Sequence, residues 1–289
     1  MIAGANLPWF HYGCDFGRNK WDSHIGVSTH AGEVRASFAA MASAGVEVVR
    51  WFVFTDGRGG LVWSAFGELE GLDAACLTDM DAALGIAGAA GVRLCLALLD
   101  FAWLDDPARC LALLDRDGSS AFLDRVIEPM LDRVGGHHAI HSIDIINEPD
   151  WVIRELAIDR ARAAWPLQRL CTFVAAASER IRSRSHAQIT LGGGLVKHAR
   201  EWDRPDYGLD FVQVHTYPHQ KDLSVFEHTA SWFGLSKPLL IGECPAQPFE
   251  DYQRAGREGG YLGVWPWSVN GVDEVGAVDL RMIRERGER

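Results

Sequence analysis

The sequence predicts a closed (β/α)8 barrel, a TIM barrel, occupying residues 1–289 as a single domain, and three observations predict it. Apolar, strand-like runs alternate with amphipathic, helix-like stretches along the whole chain, the pattern of a parallel α/β architecture. Eight such runs can be counted, and a barrel of this type typically takes ~250 residues. No GxGxxG turn follows the first strand, and the glycines at 192–194 lack that spacing, which argues against an open doubly wound sheet. The glycine triplet reads instead as close backbone approach at a barrel mouth.

The strands are expected at Ile2–Leu7, Val46–Phe54, Val92–Asp100, Ile140–Asn147, Gln188–Gly193, Phe211–Tyr217, Leu239–Glu243 and Tyr261–Trp267. Helices are expected between them. Gly32–Ala44 places Val34, Phe38 and Met41 on one face, and Thr78–Ala90 opens on Thr78 as its cap. Ala121–Val134, Leu167–Arg182 and, more briefly, Val225–Gly234 show the same spacing. After the fifth strand only a short helix near Lys197–Trp202 is expected.

Composition removes several function classes. A net charge of −11 argues against a nucleic-acid partner, which needs a basic stripe to neutralise phosphates. No apolar run approaches the ~18 residues of a transmembrane helix, so no membrane partner is expected. The opening MIAGANLPWFHYG has neither a basic leader region nor a long apolar segment, which predicts a cytoplasmic protein unless a leader has been removed. Six cysteines at 14, 76, 95, 110, 171 and 244 show no CxxC or zinc-like spacing and are expected to be reduced thiols. No metal and no cofactor is expected, and no oligomeric state is specified. Eleven tryptophans suit a carbohydrate ligand, because the indole face packs against the C–H face of a sugar ring.

Active sites of such barrels form at the C-terminal ends of the strands. There the expected strands carry Arg50, Asp100, Asn147 with Glu148, His215 with Tyr217, Glu243, and Trp265 with Trp267. Glu148 and Glu243 each terminate an apolar strand, on the fourth and seventh positions of the ring. Glycoside hydrolysis needs such a pair, with one carboxylic acid to protonate the leaving oxygen and a second carboxylate opposite. A separation of ~5–5.5 Å corresponds to a retaining mechanism and ~6.5–9.5 Å to an inverting one.

Asn147-Glu148-Pro149 after the fourth strand and Glu243 after the seventh resemble the clan A glycoside hydrolases, above all family 5 in its cellulase and β-mannanase branch. Arg50, the His215-Thr216-Tyr217 run, the segment GVWPWSVN and the opening ANLPWF extend the resemblance along most of the chain. It implies a retaining β-glycoside hydrolase acting on a β-linked glucoside, mannoside or related oligosaccharide, with Glu148 as acid/base and Glu243 as nucleophile. It further implies that Arg50 and Tyr217 support Glu243, that Asn147 meets the sugar 2-hydroxyl, and that His215 tunes Glu148 or holds substrate. Trp267, with Trp265 on the same strand face, is expected to form the sugar platform.

The chain departs from the family at the end of the third strand, where a histidine is usual and Asp100 stands here, followed by Phe101, Ala102 and Trp103. Asp100 is able to accept from sugar hydroxyls or to cap the following loop, and both readings stand. Trp103 is expected on the substrate, with Trp63 and Trp151 as further lining residues. The long first loop, Trp9 to His30, is expected to wall one end of the cleft. Three alternatives remain. One is a metal-dependent enzyme using Asp100, Glu148 and Glu243. Another is a non-catalytic sugar-binding barrel. A third is a transglycosylase using the same carboxylates.

Overall fold

The computed structural model describes residues 1–115, 119–156, 165–272 and 276–283. Eight parallel strands close into a ring: β1 (Ile2–Asn6), β2 (Val48–Phe52), β3 (Arg93–Asp100), β4 (Ile140–Asn147), β5 (Gln188–Gly193), β6 (Val212–His215), β7 (Leu239–Pro245) and β8 (Gly263–Trp267). Each strand pairs with its sequence neighbour, and β8 closes on β1 through Ile2↔Gly263 and Ala3↔Val264. The expected (β/α)8 barrel is the fold. β4 and β5 have the expected limits, while the other strands differ at their ends by a few residues, where pairing frays into loops.

The helices Ala31–Ser43, Ala74–Ala90, Glu128–Val134, Leu167–Arg184 and Phe249–Gly259 pack around this ring. Thr78 is not a cap, because its helix starts one turn earlier, where the Asp73 carboxylate accepts from the Ala75 N–H. The expected helix at 121–134 winds as a π-helix over Leu123–Ile127 before its α-helical part. Pro129, which has no N–H, removes the bond that would otherwise close on the Arg125 carbonyl. Val225–Gly234 divides into Ser224–Glu227 and a 3-10 turn at Ala230–Phe233. Besides the short helix Pro107–Leu113, two further elements were not legible in the sequence. One is a hairpin of Leu61–Trp63 with Leu69–Leu72; the other is the helix Phe249–Gly259, which buries only Phe249, Tyr252 and Gly256.

Inside the ring the side chains form layers. At the N-terminal end, Val48, Cys95, Phe211, Leu240 and Trp265 make an apolar floor, closed by Ile2 and Leu262. Gly4 makes room for it, since a Cβ there would come within 2.6 Å of three atoms of the Trp265 indole. The layer above is polar and contains Asn6, Arg50, Asp144 and Gln213, all fully buried. No disulfide links the six cysteines. Among the described residues, no helix is long and apolar enough to cross a membrane.

The first loop is held by two buried carboxylates. Asp15 accepts from the N–H groups of Phe10 and His11 and from the Trp51 indole, at 2.7–2.8 Å. Asp79, on the neighbouring helix, accepts from the Gly17 and Ser28 N–H groups, and His24 Nε2 lies 2.9 Å from it. These bonds bring Trp9 and Tyr12 beside the barrel mouth, Trp9 being packed against Phe52 and Trp267.

Candidate active site

Arg50 occupies the centre of the polar layer. Its Nε meets Asp144 at 2.8 Å, Nη1 meets Glu243 at 2.6 Å and Asn6 at 3.2 Å, and Nη2 meets Asn147 at 2.7 Å. Gln213 and the Gly192 N–H complete the shell of Asp144. A guanidinium has five donors in a rigid fork, and here that fork ties β2 to β1, β4 and β7. With no exposed surface, Arg50 acts on the site through the groups it holds, Glu243 and Asn147 among them.

Glu243 is the fifth residue of β7, a seven-residue buried strand that runs on through Cys244 and Pro245. Arg50 donates to its Oε1, and the Tyr217 hydroxyl donates to its Oε2 at 2.9 Å. Burial pushes its carboxyl above the ordinary range, and the Arg50 charge and the Tyr217 hydrogen bond oppose that rise. Tyr217 is itself pushed well above 10 by burial and by the facing carboxylates, so it stays a hydroxyl donor.

Glu148 stands just beyond β4 in a left-handed conformation, φ 46°, which a non-glycine residue adopts at a cost. Its own N–H donates to the Gly192 carbonyl, which holds that geometry. Trp151 Nε1–H donates to Oε2, and His215 Nδ1 lies 2.8 Å from Oε1. Burial raises the Glu148 pKa to about 7; the nearby Asp150 charge adds to this, while the Trp151 bond opposes it. Burial also lowers His215 to about 4, so the ring is neutral at neutral pH. One oxygen of Glu148, one of Glu243 and a ring nitrogen of His215 all lie within 4.8 Å of one another. Nearest oxygens this close put the two carboxylates at the short end of the spacings known for paired carboxylates.

The end of β3 completes the site. The Asp100 carboxylate accepts from the Ala102 N–H at 2.9 Å and from Asn147 Nδ2 at 2.8 Å. Burial raises its pKa to about 7. Trp267 is largely buried at the mouth, 9% of it exposed, with ring centres of Phe52 and Trp9 each 6.0 Å away.

The structure therefore brings together Arg50, Asp100, Asn147, Glu148, His215, Tyr217, Glu243 and Trp267, and leaves two expected residues outside. Trp265 points inward like Trp267, but it lies two residues, roughly 7 Å, deeper in the barrel and is sealed in the floor. Trp103 is turned inward by the 3-10 turn Phe101–Asp105, donates to the Arg109 carbonyl and packs on Phe122. Trp151, a looser expectation, proves to touch Glu148 directly. Asp144 and Gln213 were missed, although each is a polar residue inside an apolar strand, a visible signal. Trp9 gave no such signal, since only the folded loop shows its place.

No protein-family model matches the chain. A mannan endo-1,4-beta-mannosidase of the blue mussel Mytilus edulis is 25% identical over 322 residues, covering 94% of this chain and 84% of that protein. The chain is similar to family 5 glycoside hydrolases of clan A. The solved β-mannanase from Mytilus edulis superposes with a TM-score of 0.82 at 23% identity, covering 97% of this chain and 90% of the other. The endo-1,4-beta-mannanase of Eisenia fetida superposes with a TM-score of 0.84 at 21% identity, covering 100% and 92%. A beta-1,4-D-mannanase from Cryptopygus antarcticus gives 0.82 at 17% identity, covering 99% and 91%. At these identities the structures establish a shared barrel.

Proposed function

We propose that this protein is a retaining β-glycoside hydrolase that cleaves β-1,4-linked mannosides. The observation that carries the reading is the pair Glu148 and Glu243, with oxygens within 4.8 Å and unlike surroundings. Glu148, raised to about 7, is largely protonated at mildly acidic pH and gives its proton to the glycosidic oxygen. Glu243, clamped by Arg50 and Tyr217, attacks the anomeric carbon and forms a glycosyl ester. Ester formation removes the Glu243 charge, which lowers the affinity of Glu148 for its proton. Glu148, ionised by the first step, then takes a proton from the water that hydrolyses the ester. Trp267 offers its indole to the sugar ring, and the mannoside preference rests on the mussel enzyme and the matching solved barrels.

Hydrolysis of mannohexaose followed by NMR tests the reading. The first-formed reducing end is expected to be the β-anomer. In Glu243→Ala, turnover is expected to disappear, and azide is expected to restore partial activity with an α-glycosyl azide as product. An α-anomer at the outset, or unchanged turnover in that variant, overturns the mechanism. Cleavage of cello-oligosaccharides in preference to manno-oligosaccharides overturns the substrate.

A further inference from the structure

We propose that Asp100 is a positioning residue: its carboxylate fixes the side-chain amide of Asn147 so that the second Nδ2 hydrogen faces the 2-hydroxyl of the bound sugar. The inference rests on the glycosidase reading above and concerns the one strand end that departs from the family pattern.

The geometry is specific. Asn147 Oδ1 accepts from Arg50 Nη2 at 2.7 Å, and one Nδ2 hydrogen goes to Asp100 Oδ2 at 2.8 Å. The amide is therefore gripped by a donor on one side and an acceptor on the other. Turning it by half a revolution would face its NH2 towards the guanidinium, a repulsive contact whatever the charge on Asp100, and its oxygen towards Asp100, repulsive when that carboxyl is ionised. The hydrogen bonds of the described residues include one from Asn147 Nδ2, to Asp100, which leaves its second Nδ2 hydrogen without a protein acceptor among them. Asn147 directly precedes Glu148 and, through Arg50, shares a guanidinium with Glu243. Asp100 is itself held, because its other oxygen accepts from the Ala102 N–H and only 8% of the residue is exposed. Asp100 thus acts at a distance from the sugar, through the residue it orients.

Asp100→Asn breaks the grip without changing size. Its single carbonyl oxygen serves either Ala102 or Asn147, and its NH2 then faces the other N–H. The test compares two substrates, an aryl β-mannobioside and its counterpart lacking the 2-hydroxyl on the ring next to the aryl group. On the complete substrate, Asp100→Asn is expected to lose about 10- to 100-fold in kcat/KM, mostly in kcat, since contacts to the 2-hydroxyl strengthen in the transition state. On the 2-deoxy substrate the variant is expected within about twofold of the unmodified protein, because the contact is already missing. Equal losses on both substrates overturn the proposal and assign Asp100 a general structural role or a contact with another hydroxyl.

A second measurement needs neither turnover nor a variant that folds. In the 15N-labelled intact protein, the two Asn147 Nδ2 protons are expected to be well separated in shift, with the carboxylate-bound one downfield and slow to exchange. Two protons with free-amide shifts and rapid exchange overturn the grip. If the unmodified protein hydrolyses neither substrate, the glycosidase reading fails, while the amide spectrum still decides the Asp100–Asn147 contact.

Discussion

The two ends of the barrel interior are built from the same eight strands and obey opposite rules. At the N-terminal end, Val48, Cys95, Phe211, Leu240 and Trp265 bury apolar surface with little polar content to satisfy. At the C-terminal end, Arg50, Asp144, Asn147, Gln213, His215 and Glu243 are equally buried, and most of their polar atoms are matched by hydrogen bonds. The floor stabilises the fold by removing apolar area from water. The upper layer contributes little net stability, because desolvating charges offsets the attraction between them. What it provides is a set of dipoles and charges already aimed before substrate arrives.

The sharpest way to break this contrast is Arg50→Met. That change leaves Asp144 and Glu243 buried beside an apolar side chain, so activity is expected to fall by roughly 10³-fold or more. Unfolding free energy is expected to fall by ~3–5 kcal/mol. Steady-state kinetics and denaturant unfolding on one preparation check both. Activity within tenfold of the unmodified protein would show that the guanidinium does not organise the site.

Trp265→Ala probes the other end. The cavity left in the floor is expected to cost ~3–5 kcal/mol in stability, while kcat/KM changes by less than about threefold under conditions where the variant is folded. A large kinetic loss in a well-folded variant would mean that the two ends are coupled.

Glu148→Gln tests the cost of burying charge above the floor. The Glu148 pKa is raised from 4.5 to about 7, so the native state holds this proton more tightly than the unfolded chain does. Stability attributable to this group is therefore full below 4.5 and is lost as pH rises towards about 7. The variant is expected to be more stable than the unmodified protein at pH 8, by roughly 1–3 kcal/mol or a few degrees in Tm, and to lose that advantage near pH 4. Calorimetry at several pH values reads it, and an advantage independent of pH would contradict the burial argument. The alkaline limb of the kcat/KM profile is expected near 7 for the same reason.

The smallest effect is expected at Trp267, which stands above both layers. Trp267→Ala is expected to raise KM about tenfold with a smaller change in kcat, since a sugar platform contributes ~1–1.5 kcal/mol by stacking. A loss in kcat alone would place this indole in the chemistry instead of in binding.

Much of the upper layer was legible because strand-end position is a one-dimensional property. Glu148, Glu243, His215, Tyr217 and Arg50 each sit at or near the close of an apolar run, and the barrel converts that position into proximity. Depth was not legible in the same way. Trp265 and Trp267 share a face by alternation, yet two residues of rise separate the floor from the mouth. Trp103 was misplaced because a 3-10 turn decides which way it points, and turn direction leaves a weak trace in sequence. Trp9 gained its place through loop contacts with Phe52 and Trp267, which no local pattern encodes, and Trp151, expected as a lining residue, reaches Glu148.

The missing side chain at Gly4 also bears on how the ring closes. The seam between β1 and β8 rests on two register pairs, and the Trp265 indole lies against Gly4 across it. A one-residue slip would turn every side chain of β1 to the wrong face, whereas a two-residue slip would keep the faces and so escape that penalty. In that second case Ile2 or Asn6 would meet the indole, and neither leaves the space it needs. Gly4 is thus a keyhole at the last joint of the circle: it admits the closing strand in one alignment and rejects the alternative that pleating alone would tolerate.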